Sequence, residues 1–212
     1  MADWVTISSL ATAGGTLVLA TATFGSIKSA NRAARVAERS LLAGLRPLLI
    51  PSREEDPVER IGFGDGVLLT VPGHGAAIAL QNQNAYLAIA LRNGGNGLAV
   101  IHGWRIEPAE RPAATMPAPE LDDFRRQQRD LYIPAGDTGF WQGALRDHDD
   151  PNLAFVRRAA ADGQRVMIDL LYGDYEGGQR TITRFGVSPW PEIEGERAEV
   201  LRYWSVDRDD PR

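Results

Sequence analysis

LAIALRNGGNGLAVIHGW, residues 87–104, decides how this chain is read. Leu87, Ile89 and Leu91 alternate with Tyr86, Ala88 and Ala90. A period of two sends successive side chains to opposite faces of a strand. The glycine-rich NGGNG (93–97) follows, and then Leu98, Val100, His102, Trp104 and Ile106 share one face of a second strand. The stretch predicts a strand, a turn and a strand, paired antiparallel as a hairpin.

The same pattern recurs downstream. Val166, Ile168 and Leu170 precede YGDYEGGQ (172–179), and Thr181, Thr183, Phe185 and Val187 follow it. Shorter strands are expected at 48–51, 67–71, 76–81, 130–133, 138–142 and 199–206. Many short strands with turn signals between them indicate a mainly β body, a sandwich or a barrel. One helix interrupts it: in DDPNLAFVRRAAADG, Asp150 is placed as N-cap, Pro151 at the first helical position and Gly163 past the end. Leu153, Val156 and Ala160 are expected to lie on the sheet. Residues 107–128 hold four prolines and read as a long loop without strands.

Upstream of the body the pattern changes. Between Asp3 and Lys28 lie 24 uncharged residues, WVTISSLATAGGTLVLATATFGSI. As a helix they cover about 36 Å at 1.5 Å per residue, enough for a hydrocarbon core of about 30 Å. Threonine and serine return their hydroxyls to the helix's own carbonyls and are tolerated there. Trp4 stands where an interfacial anchor would stand. A cleaved signal peptide would want positive charge before the run, and only Asp3 and the amino terminus are there. A buried core helix, or a helix bundle in water, would also carry such a run, although a helix apolar all round is unusual in so small a domain.

A collar of Lys28, Arg32, Arg35, Arg39 and Arg46, against the single acid Glu38, follows the run. Arg32, Arg35, Arg39 and Arg46 share one helix face; Ala30, Ala34, Ala37, Leu41 and Leu45 share another. Pro47 is expected to end the helix. Basic residues on a flank stay cytoplasmic, which places the amino terminus outside and the body inside a cell membrane. Trp4 and the five basic residues are thus the expected membrane-surface residues, with lipid as their partner. A plain stalk with solvated arginines would show the same collar. Ser8, Thr12 and Thr16 recur at i+4 beside Gly15, a spacing that would allow a homo-oligomer through this helix. The expected organisation is 1–27 anchor, 28–46 basic juxtamembrane helix, 47–206 β domain and 207–212 disordered tail.

The search for chemistry is short. The chain has no cysteine, which excludes disulfides, a thiolate nucleophile and cysteine-held zinc. The body carries 18 basic against 26 acidic residues, and nucleic acid is not expected as a partner. His102 is expected in the core and His74, in PGHG, in solvent. His148 with Asp147, Asp149 and Asp150 resembles a ligand cluster, but helix capping accounts for the acids. Asp122 and Asp123 read as solvated, and Asp174 and Glu176 as turn residues lacking calcium-loop spacing. Trp141, in GFWQG, is either an exposed recognition aromatic or a core one. Phosphate-loop, nucleophile-elbow and His-Glu-x-x-His motifs do not occur. No catalytic residue, cofactor or metal ligand is assigned.

LAIALRNGGNGLAVIHGW resembles the strand–turn–strand of immunoglobulin-like β-sandwich domains in bacterial envelope proteins, and YGDYEGGQRTITRF (172–185) resembles their later hairpin. The apolar run with its Ala/Arg-rich helix ending in LRPLLIPS (45–52) resembles uncharacterised membrane-anchored proteins of high-GC actinobacteria. The resemblance implies an immunoglobulin-like antiparallel sandwich behind a membrane anchor, and no activity. The functional expectation is a membrane-anchored interaction module with a protein partner. A second expectation is an enzyme or small-molecule sensor with a site built from 107–128 and 140–150. A third is a self-assembling structural membrane protein.

Overall fold

The computed structural model describes residues 3–107, 117–190 and 195–208. The chain divides after Gly44 into two units. The first is one uninterrupted helix, α1 (Trp4–Gly44), of 41 residues. It is long and apolar enough to cross a membrane. Four of its threonines satisfy their hydroxyls internally: Thr12 donates to Ser8 O at 2.9 Å, Thr16 to Thr12 O at 2.9 Å, Thr21 to Leu17 O at 3.0 Å and Thr23 to Leu19 O at 2.8 Å. The two expected helical segments are therefore one element. It stops before the residue preceding Pro47, which proline keeps out of the helical region.

The second unit is mainly β. Its strands are β1 (Leu49–Pro51), β2 (Glu59–Gly62), β3 (Leu68–Val71), β4 (Gly75–Gln81), β5 (Asn84–Asn93), β6 (Ala99–Glu107), β7 (Arg125–Arg126), β8 (Tyr132–Ile133), β9 (Thr138–Leu145), β10 (Val166–Gly173), β11 (Thr181–Pro189) and β12 (Glu196–Ser205). Helix α2 (Pro151–Asp162) lies between β9 and β10. Every pairing is antiparallel, and the main sheet runs β1-β5-β4-β12-β11-β10-β6-β7, with β8 also on β6 and β9 on β5.

Residues 84–107 are not a hairpin. β5 is flanked by β4 and β1 on one edge and by β9 on the other. β6 is flanked by β10, β7 and β8. With their edges occupied elsewhere, the two strands do not pair, and residues 93–97 carry the chain from one part of the sheet to the other. Asn93 holds this crossing. Its Oδ1 accepts from Leu48 N (3.1 Å) and Gly95 N (3.0 Å), and its Nδ2 donates to Gly97 O (2.6 Å) and Ile133 O (3.0 Å). The true hairpin on β5 is with β4, through Asn82 and Gln83, both at positive φ, as a two-residue turn of this kind requires.

The face expected for β6 is also corrected. Leu171 is opposite Gly103 while Tyr172 is opposite Ile101, so His102 is an extra residue. This bulge changes the parity of the strand. Ala99 and Ile101 enter the core before it, Trp104 and Ile106 after it, and Val100 and His102 are only half-buried. Burial lowers the His102 imidazole below its ordinary value.

The core draws on both parts of the sheet. Leu87, Ile89 and Leu91 of β5 join Ile168 and Leu170 of β10, Phe185 of β11 and Leu153, Val156 and Ala159 of α2. Trp104 of β6 meets Trp141 of β9 edge to face, ring centroids 5.4 Å apart. The Tyr172 hydroxyl ties β1 to this core, accepting from Leu49 N at 3.1 Å and bonding Thr183 Oγ1 at 2.9 Å. The other face of β5, Tyr86, Ala88 and Ala90, is covered by the β2–β3 hairpin through Ile61, Phe63, Leu69 and Val71. α2 begins and ends as its sequence predicts: Asp150 accepts from Asn152 N, and Gly163 closes it at φ 63. Ala159 rather than Ala160 is buried, because a step of three from Val156 keeps the same face in contact. Strand β2, and strand β7 inside the expected proline-rich loop, are additions to the expected set. Residues 108–116 of that loop lie outside the described residues.

Candidate functional groove

Three pieces of chain surround a groove of about 1440 Å³: the β2–β3 turn (Gly62, Phe63, Gly64, Asp65), the segment 125–130 and residues 142–146 on and just after β9. Gln142, Gly143 and Ala144 all line it. Consecutive strand residues point to alternate faces, so the groove runs along the edge of β9 rather than over one face. Gly143 is buried against two tryptophans there: a Cβ would sit 2.6 Å from Trp141 Cζ2 and 3.1 Å from Trp104 Cζ2, so the close packing leaves no room for a side chain.

The groove is basic in an acidic body. Arg125, Arg126, Arg129 and Arg146 line it, against Asp65 and Asp130. Two of the arginines are committed. Arg125 lies 5.4 Å over the Trp104 ring and 2.6 Å from Asp150 Oδ2. Burial opposes ionisation of Asp150, but Arg125 and the Asn152 amide win and lower its carboxyl. Arg146 donates to Asp65 at 3.0 Å, and the Tyr86 hydroxyl donates to the same oxygen at 2.6 Å. Arg146 first, then Tyr86, hold Asp65 down at about 2. Arg126 and Arg129 are exposed and make no ion pair among the described residues. Among the described residues, two shielded amide oxygens, Gln127 Oε1 and Gln142 Oε1, meet no hydrogen-bond donor. Buried acceptors are normally satisfied, so these are places where a ligand has something to offer.

The expected membrane-surface residues do not contribute here. Trp4, Lys28, Arg32, Arg35 and Arg39 are exposed on α1. Arg46 is not on the helix: it belongs to the β unit, where its Nη2 donates to Ser205 Oγ (2.7 Å) and Thr181 Oγ1 (3.2 Å). Its place on the basic helix face is therefore corrected. Trp141 is fully buried, a core aromatic. His74, expected in solvent, is half-buried: its Nδ1 lies 3.2 Å from Ser52 O and its ring 6.1 Å from Trp190. Asp122 and Asp123 are exposed, as expected, and Asp123 also pairs with Arg105 at 2.8 Å. Asp207, expected in a loose tail, holds Arg180 at 2.7 Å; residues 209–212 lie outside the described residues. The run RRQQRD (125–130) was the one local signal for the groove. Only its neighbours in space give it meaning.

Comparison with protein-family models, with curated proteins and with solved structures finds no match to this chain.

Proposed function

We propose that this chain is a membrane-anchored interaction module. In this reading α1 crosses the cell membrane with its amino terminus outside. Lys28, Arg32, Arg35 and Arg39 sit at the cytoplasmic lipid surface, as basic flanks do. The body is an immunoglobulin-like sandwich whose interaction site is the groove along β9.

One observation carries the functional part: a groove with two arginines and two amide oxygens that find no partner among the described residues opens on a body whose net charge is negative. Its size favours a polymeric partner, since small-molecule sites fall in the range of about 300–1,000 Å³.

The test is a photo-crosslinking residue in place of Gln128, inside the groove, and a control in place of exposed Tyr175, outside it, in cells. A topology reporter is fused after Arg212. A defined protein adduct from position 128 alone, with a cytoplasmic reporter, is the expected result. Adducts from 175 and none from 128 would remove the groove as the interaction site. An exported reporter would overturn the orientation.

A further inference from the structure

The edge of β9 is open where the groove runs. β9 pairs only with β5, over residues 138–145, among the described residues. Ile133 of β8 packs over the start of β9, its Cγ1 3.0 Å from the place of a Gly139 Cβ. Beyond it the Gln142 carbonyl points away from β5, because it accepts from Gln127 Nε2 at 3.2 Å. The backbone groups of a strand alternate between its two edges, so Phe140 and Ala144 also present their N–H and C=O to the groove. An uncovered strand edge is a template for another strand, and proteins normally blunt it. Among the described residues the blunting is one side chain: the Gln127 amide occupies a position that an incoming backbone N–H would take.

We propose, resting on the reading of the groove as the interaction site, that β9 binds an extended acidic peptide segment of a partner protein by strand addition. Backbone hydrogen bonds to residues 140–144 supply the pairing. Acidic side chains at alternate positions meet Arg126 and Arg129. Peptide amides displace Gln127 from the Gln142 carbonyl and satisfy the two orphaned glutamine oxygens. The mode is a known one, with main-chain bonds giving affinity and alternate side chains giving specificity. Charge complementarity gives the sign of the ligand: the uncommitted groove charges among the described residues, Arg126 and Arg129 against Asp130, are net positive, whereas the body as a whole is negative.

The experiment uses the full chain in detergent micelles and a fluorescein-labelled eight-residue peptide of alternating glutamate and valine, read by anisotropy. A lysine–valine peptide is the charge control. Two further versions of the acidic peptide are N-methylated at alternate residues, one on each edge. Binding of the acidic peptide is expected, weakened about tenfold by R126E with R129E and by high salt. One N-methylated version is expected to lose binding and the other to keep it, since a strand offers only one edge to β9. This comparison does not depend on whether any variant folds. Equal binding of both N-methylated peptides would overturn strand addition, and equal binding of the lysine peptide would overturn the acidic preference. If the acidic peptide fails to bind while position 128 still yields a crosslinked protein, the occupant is wrong and the interaction site stands. If both fail, the groove reading falls with it.

Discussion

Arg184 and Asp169 meet fork on fork across the β10–β11 ladder: Nε lies 2.6 Å from one carboxylate oxygen and Nη2 2.7 Å from the other. The two residues are directly opposite in register, and neither is more than 1% exposed. The next strand adds a third member. Arg105 on β6 is opposite Asp169, with its Nε 3.1 Å from Oδ2, and also engages Glu107 and Asp123. Trp204 is the lid on this arrangement, its ring 5.1 Å from the Arg184 guanidinium. Asp169 is thus the carboxylate between two guanidinium groups, one of them fully buried.

Removing it is the most damaging polar change we expect in the body. Asp169→Asn takes the carboxylate charge away from beside buried Arg184, a loss of about 3–5 kcal/mol by the usual cost of breaking a buried pair. Arg184→Lys keeps the charge but loses the fork and costs less. Urea unfolding followed by tryptophan fluorescence, to which Trp204 reports directly, measures both. A cost below that of an ordinary surface substitution for Asp169→Asn would refute the account.

Glu196 supplies a pH dependence. It stands where β12 meets β4, opposite Ala76, and its Oε2 accepts from Ile78 N at 3.2 Å. Burial raises its carboxyl above the ordinary value, and the Ile78 bond only partly offsets this. A raised folded-state value means that the protonated form is favoured by folding. That stabilisation is present in full below the unfolded value of 4.5 and is lost as pH rises through the folded value. Glu196→Gln, neutral at every pH, should therefore gain thermal stability over the native chain at pH 7 and lose this component of the pH profile. A native-chain melting temperature that rises, relative to the variant, as pH climbs above 4.5 would contradict the sign.

The crossing at 93–97 makes a sharper test of the backbone. A Cβ at Gly97 would collide with the Leu45 carbonyl oxygen, and one at Gly95 with the Arg46 carbonyl oxygen. At Gly94 the nearest atom is a side-chain carbon, Ile50 Cδ1 at 3.3 Å. Gly97→Ala should cost at least about 1–3 kcal/mol, the range for overpacking against atoms that cannot move aside, and Gly94→Ala less. Equal costs in chemical denaturation would mean that residues 45–48 do not clamp the crossing as described.

Much of the local structure was legible. The β10 and β11 strands, the cap and stop of α2 and the apolar helix at the amino terminus follow from neighbours within four residues. What failed was non-local. Asp169 and Arg184 occupy the polar positions of strands whose other face is apolar, and such positions read as solvent-facing until something covers them. His102 was placed on one face with Trp104 because a bulge is invisible to a count of two. The stretches 107–128 and 140–150, expected together only as the site of an enzyme or sensor, each contribute a part of the groove's lining, and its arginines carried no motif.

The sequence by itself determined the bounds of α2 and the central parts of most strands, because caps, prolines, glycines and side-chain periodicity act over a few residues. It also determined that a 24-residue uncharged run precedes a positive collar. Only the tertiary structure decided which strands pair, that NGGNG crosses the sheet instead of closing a hairpin, and that RRQQRD lies along the free edge of β9. Those outcomes depend on which edges and faces are already occupied by distant segments. Occupancy is a property of the packed chain and is not contained in any one stretch of it.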